Sequence, residues 1–134
     1  MRLLLDTHIL VWAIRMNPLL PKQAVMLISD SDSELYVSTV AVWETAIKHE
    51  KRPEQFPLSS ERLIRYCNEN GVRQLPLYFH HVDMFTTLTR QENAPVHNDP
   101  FDKIMIAQAK AENMFFLTHN SLLKYYDESC ILFV

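Results

Sequence analysis

Four short apolar runs and one mixed run, separated by stretches of helical period, constrain the fold of this chain more than any other feature. Residues 2–5, 35–37, 72–77, 114–117 and 131–134 read as strands. Between them, residues 9–14, 23–29, 40 to about 51, 59–70, 79–90, 99–113 and 121–126 read as helices. Strands this short, with little polar alternation, belong to a sheet covered on both faces. Their alternation with helices indicates an α/β domain with a mainly parallel sheet. At 134 residues the chain is expected to form one domain over residues 1–134, large enough to bury a core without staples.

Composition narrows the chemistry by exclusion. The single glycine, Gly71, leaves no P-loop, no dinucleotide fingerprint and no G-x-S-x-G elbow. There is no C-x-x-C and no H-E-x-x-H, so zinc is poorly supported. Cys67 and Cys130 form no disulfide framework, and a reduced, cytoplasmic setting is expected. Asp6 interrupts the apolar N-terminus and no small-residue cleavage site follows, so no signal peptide is expected. No uncharged run approaches the roughly 20 residues of a membrane span, so no membrane partner is expected. The net charge of −3 rules out a globally basic nucleic-acid binder but leaves room for local basic patches.

The carboxylates carry what chemistry remains. Asp99 and Asp102 open a strongly apolar helical run, and Asp102 shares a face with Met105, Ile106 and Ala109. Burying a carboxylate is costly without a compensating cation or hydrogen-bond network. Glu44 likewise lies on one helical face with Val40 and Ile47. Asp6 and Asn120 each follow a strand. In parallel sheets ligands bind beyond the carboxyl ends of the strands, so one rim should gather Asp6, Glu44, Asp102 and Asn120. Three carboxylates and a carboxamide suit a hard cation, Mg²⁺ or Mn²⁺.

Each residue also has an ordinary structural role. Asp99 before Pro100 is a good N-cap, Asp6 a strand-end turn residue, Glu44 a paired buried glutamate, and Asn120 a cap for the short helix after it. His8, His97 and His119 lie near the rim, whereas His49, His80 and His81 suit a surface or a cap.

The motifs Leu3-Leu4-Leu5-Asp6-Thr7-His8, the 38–44 stretch with its Trp43-Glu44 pair, and His97-Asn98-Asp99-Pro100-Phe101-Asp102-Lys103 with Ile106-Ala107-Gln108-Ala109 resemble the PIN-domain ribonucleases. They are most similar to the VapC-type toxins of toxin–antitoxin pairs. The resemblance runs through essentially the whole chain in order. It implies a PIN-like three-layer α/β/α sandwich and a Mg²⁺- or Mn²⁺-dependent endoribonuclease that hydrolyses RNA with metal-activated water. By position, Asp6, Glu44 and Asp102 match the family's first three acids and become the expected catalytic residues. Asp99 matches an extra aspartate of the branch carrying D-P-F-D.

The family's fourth acid follows a strand as T-x-D, where this chain has Thr118-His119-Asn120. The expected metal set is therefore Asp6, Glu44, Asp99, Asp102 and Asn120, the last contributing a carbonyl oxygen but no charge. Lys48 and Lys103 are expected phosphate contacts, with Lys51 and Arg52 as further candidates. The resemblance also implies a cognate small antitoxin protein and a homodimer. Asn120 supports the competing expectation of a catalytically weakened PIN fold that acts by binding antitoxin or RNA. A phosphohydrolase with an Asp6 nucleophile ranks last, because His8 stands where a second aspartate would be needed.

Overall fold

The computed structural model describes all 134 residues. Five strands, β1 (Arg2–Leu5), β2 (Glu34–Ser38), β3 (Arg73–Leu75), β4 (Phe115–Thr118) and β5 (Ile131–Phe133), form one sheet. Its order is β3-β2-β1-β4-β5, and every pairing is parallel. Helices α1 (Thr7–Ile14) and α2 (Lys22–Ser29) join β1 to β2, and α3 (Thr39–Lys51) and α4 (Ser60–Glu69) join β2 to β3. Helices α5 (Phe79–Phe85) and α6 (Pro100–Glu112) join β3 to β4, and a short 3-10 helix, Ser121–Tyr125, leads to β5.

Right-handed crossovers place α1 to α4 on one face of the sheet and α5 and α6 on the other. Packing agrees: α1, α3 and α4 contact one another, while α5 lies along α6. The result is the three-layer sandwich expected from the sequence. The central strand is its driest part, with Leu3, Leu4 and Leu5 almost wholly buried. Each such leucine contributes about 1.5–3 kcal/mol of transfer free energy.

Most expected elements shift by a residue or two at an end, and three differ more in extent or in type. The 79–90 helix stops at Phe85, because the Thr86 and Thr87 hydroxyls donate back to the Asp83 and Met84 carbonyls, at 2.8 and 2.7 Å. Such local bonds offer the backbone an alternative to helix. Beyond them Arg90 pairs in an isolated antiparallel bridge with Tyr126. The 72–77 strand shortens to Arg73–Leu75, and it stops before Pro76, which has no N–H for a ladder. The 121–126 helix is a single 3-10 turn. Gly71, at φ 69°, supplies the left-handed step from α4 toward β3.

The chain leaves β1 for β2 on one side and returns to β4 on the other. The crevice between the carboxyl ends of β1 and β4 is therefore the topological switch point of the sheet.

Candidate functional site

Almost no loop separates strand from helix at this rim, so the connecting residues hold fixed positions. Asp6 is the single residue between β1 and α1, and its N–H donates to the Leu117 carbonyl of β4 at 3.0 Å. Thr118, the last residue of β4, donates its hydroxyl to Asp6 Oδ2 at 2.6 Å and accepts the Asn120 N–H at 3.1 Å. Ser38, the last residue of β2, caps α3 by accepting the Val40 N–H and donates to Gln108 Oε1 of α6 at 2.6 Å. That bond links the starting turn of α3 to α6. Gln108 in turn donates to the Pro76 carbonyl beyond β3.

These anchors bring the expected acids to one place. Glu44 projects from the second turn of α3, and its Oε1 accepts the Thr7 hydroxyl at 2.7 Å. Its Oε2 lies 2.6 Å from Lys48 Nζ, one turn further on. Asp102 sits in the first turn of α6, where Asp99 caps the helix by accepting the Phe101 and Asp102 N–H groups at 2.9 and 3.3 Å. Asp102 Oδ2 receives Asn120 Nδ2 at 3.2 Å and lies 3.4 Å from His97 Nε2. Asp6 and Glu44 are each 2 % exposed and Asp102 6 %, whereas Asp99 and Asn120 are half-buried. Trp43 packs edge-on against Phe101 and closes the seam between α3 and the start of α6.

The electrostatics follow from that burial. Asp102 is raised from 3.8 to about 7, first by burial and then by repulsion from Asp6, Asp99 and Glu44; the His97 contact opposes the shift. Asp6 is raised to about 6 by burial and by Glu44 and Asp99, against the Thr118 hydrogen bond. Asp99 is thus both the helix cap and a charge felt across the cluster. Lys48 is the only lysine or arginine paired with any of these four acids. The imbalance of negative charge, together with an all-oxygen donor set of carboxylates, fits a hard divalent cation.

Asn120 takes the capping role that was its ordinary structural reading. Its Oδ1 accepts the Leu122 N–H at 3.1 Å, which leaves its amide nitrogen to face Asp102. The 3-10 helix fixes this amide orientation, so in this structure Asn120 steadies Asp102 as a donor.

Glu44, Asp99 and Asp102 border an open cleft of about 500 Å³ that Lys48, His97 and Asn120 also line, with Asp6 buried behind them. A second cleft of about 440 Å³ continues past Glu44, Lys48 and Phe101 to Lys51, Arg52 and Phe56. The site thus has an acidic floor and a basic flank. Lys103 borders neither cleft: its ammonium lies 4.2 Å from the Phe85 ring centre, on the side of α6 that faces α5. His8 is exposed beside Trp12, and His119 packs between Trp12 and Phe133. Cys67 and Cys130 are free thiols that burial raises to about 11, too high for a neutral-pH nucleophile.

The one group of ligating side chains whose donor atoms all lie within 4.8 Å of one another is elsewhere, formed by His80, His81 and Glu112. The Tyr78 N–H donates to His81 Nδ1 at 3.0 Å, so the ring proton sits on Nε2, which donates to Glu112 Oε1 at 2.8 Å. His80 Nε2 meets the same oxygen at 2.9 Å. A metal on His81 Nε2 would need the opposite tautomer and would set two N–H groups against each other. This cluster is a fastening between α5 and the last turn of α6.

Thr7 and Thr118, which hold Glu44 and Asp6, stood in the quoted motifs only as neighbours, with no role of their own. The Glu44–Lys48 pair was available from i,i+4 spacing. Tyr126, whose hydroxyl meets His97 Nδ1 at 2.8 Å, carried none.

The chain matches the PIN domain family model over residues 3–128. It belongs to the PIN domain family, whose members are in general nucleases. Among solved structures it is similar to a chain of VapBC2 from Rickettsia felis, crystallised bound to a DNA fragment from their promoter. The TM-score is 0.70 and the identity 19%, over 100% of this chain and 98% of that one. At that identity the likeness speaks for the fold. No curated protein matches the sequence. No helix is long and apolar enough to cross a membrane.

Proposed function

We propose that this chain is a divalent-metal-dependent endoribonuclease, the toxin of a toxin–antitoxin pair, which hydrolyses RNA phosphodiester bonds. The observation that carries the reading is the group of buried, under-compensated carboxylates at the switch point, open to a cleft with a basic flank. Membership of a nuclease family supports the reaction class, and the VapBC2 structure supports the toxin assignment and an antitoxin partner. The family also motivates a homodimer and a cytoplasmic setting.

Asp6, Glu44 and Asp102 would hold Mg²⁺ or Mn²⁺, with Asp99 adding charge. Bound there, the ion would lower the pKa of water and offset charge on the phosphate. Thr7 and Thr118 hold two of the acids from the protein side, which fixes their rotamers in advance. Lys48, Lys51 and Arg52 meet the phosphate backbone along the second cleft. Lys103 would first have to leave Phe85.

Purified protein should cleave RNA with Mg²⁺ or Mn²⁺, lose activity in chelator, and lose it again in Glu44→Gln. Equal cleavage by Glu44→Gln or in excess chelator would refute the reading. A second reading, a PIN fold that binds antitoxin or RNA without turnover, is favoured by the uncharged Asn120. Robust cleavage by the unaltered protein would exclude it.

A further inference from the structure

We propose that His97 is a positioning residue for Asp102, held in its working orientation by Tyr126. The inference rests on the metal-nuclease reading above and assigns His97 a role that the acid motif does not. The His97 side chain is 3 % exposed, so it contributes little surface to a substrate. Both of its ring nitrogens are engaged: Nδ1 with the Tyr126 hydroxyl at 2.8 Å and Nε2 with Asp102 Oδ2 at 3.4 Å. Toward an ionised Asp102 the Nε2 atom must be the donor. Asp102 thereby sets the tautomer, and in the neutral ring Nδ1 is left to accept from the Tyr126 hydroxyl, which holds the ring at its other end.

Tyr126 is itself well anchored. It is 5 % exposed, stands edge-on to the His97 ring, and carries the Arg90 guanidinium over its face at 5.1 Å. The segment before His97 is tied to the same region by the Arg90–Tyr126 bridge and by the Gln91 N–H to the Tyr125 carbonyl at 2.8 Å.

The consequence is an asymmetry in the Asp102 carboxylate. His97 and Asn120 both approach Oδ2, and no protein donor meets Oδ1. One oxygen is held by the protein while the other stays free to serve as a ligand. Partners that orient a ligating carboxylate typically change metal affinity by about 10- to 100-fold when removed.

The test is Mn²⁺ binding without RNA, followed by electron paramagnetic resonance, together with the Mn²⁺ dependence of RNA cleavage. His97→Leu should weaken Mn²⁺ binding about 10- to 100-fold at unchanged stoichiometry, and shift the Mn²⁺ needed for half-maximal cleavage equally. The KM for RNA at saturating Mn²⁺ should stay constant. His97→Gln keeps a side-chain N–H donor and should recover most of the affinity, while Tyr126→Phe should fall between. A purely packing role would lower thermal stability in these variants and leave the affinity of the folded fraction unchanged. Unchanged affinity in both His97→Leu and Tyr126→Phe, beside an unaltered protein that binds Mn²⁺ and cleaves, overturns the positioning role alone. An unaltered protein that neither binds Mn²⁺ nor cleaves overturns the nuclease reading and this inference with it.

Discussion

Replacing Asp102 with asparagine removes a charge that the fold tolerates poorly, so Asp102→Asn should stabilise the metal-free protein in alkaline solution. A carboxyl whose folded-state pKa exceeds its unfolded value holds its proton more tightly in the fold. Its contribution to stability is complete below the unfolded value and is lost as pH rises through the folded one. For Asp102 that window runs from 3.8 to about 7. The full loss is about 4 kcal/mol at about 1.4 kcal/mol per pKa unit.

At pH 5 only the first part of that loss has been incurred, about 1.5 kcal/mol, and at pH 8 all of it. The advantage of Asp102→Asn should therefore grow by about 2–3 kcal/mol between the two pH values. Any pH-independent cost of the amide, such as a poorer fit to His97 and Asn120, cancels in that difference. For a chain of this size the growth corresponds to roughly 8–12 °C in Tm. Thermal unfolding followed by circular dichroism in EDTA at pH 5 and pH 8 reads it directly. An advantage equal at both pH values, or larger at pH 5, would refute the claim that burial and neighbouring acids strain this carboxylate. Adding Mn²⁺ at pH 8 should raise the unaltered protein more than the variant and narrow the gap.

Two further variants probe the same architecture. Asn120→Asp restores the family's fourth acid but removes the donor to Asp102 Oδ2 and adds a like charge beside it. It should lower Tm in EDTA at pH 8 while tightening Mn²⁺ binding, as unfolding and calorimetric titration would show. Ser38→Ala deletes the cap of α3 and leaves Gln108 Oε1 without its buried donor; urea denaturation should show a loss of about 1–3 kcal/mol.

Much of this molecule was legible in the sequence because its signals are local. Four of the five strands announce themselves by short apolar runs, β3 being the mixed Arg73-Gln74-Leu75, and α6 by the spacing of Asp102, Met105, Ile106 and Ala109, all buried as read. The acids were found because a carboxylate on an apolar face is an anomaly at any single position, with no partner needed to see it. Family resemblance ordered them.

Other features exist only where distant segments meet. Thr118 and Asp6 are 112 residues apart, Ser38 and Gln108 are 70 apart, and His97 meets a tyrosine 29 residues away. Threonine, serine and tyrosine are common enough that none stands out before the sheet order is known. Lys103 shows the converse: beside Asp102 in sequence, it is turned by helical geometry toward Phe85. The sequence by itself determined which residues are acidic, which faces are apolar and how strands alternate with helices. Only the tertiary structure decided which oxygens of Asp6 and Asp102 the protein holds, because Thr118 and Asn120 reach them across the β1–β4 switch point.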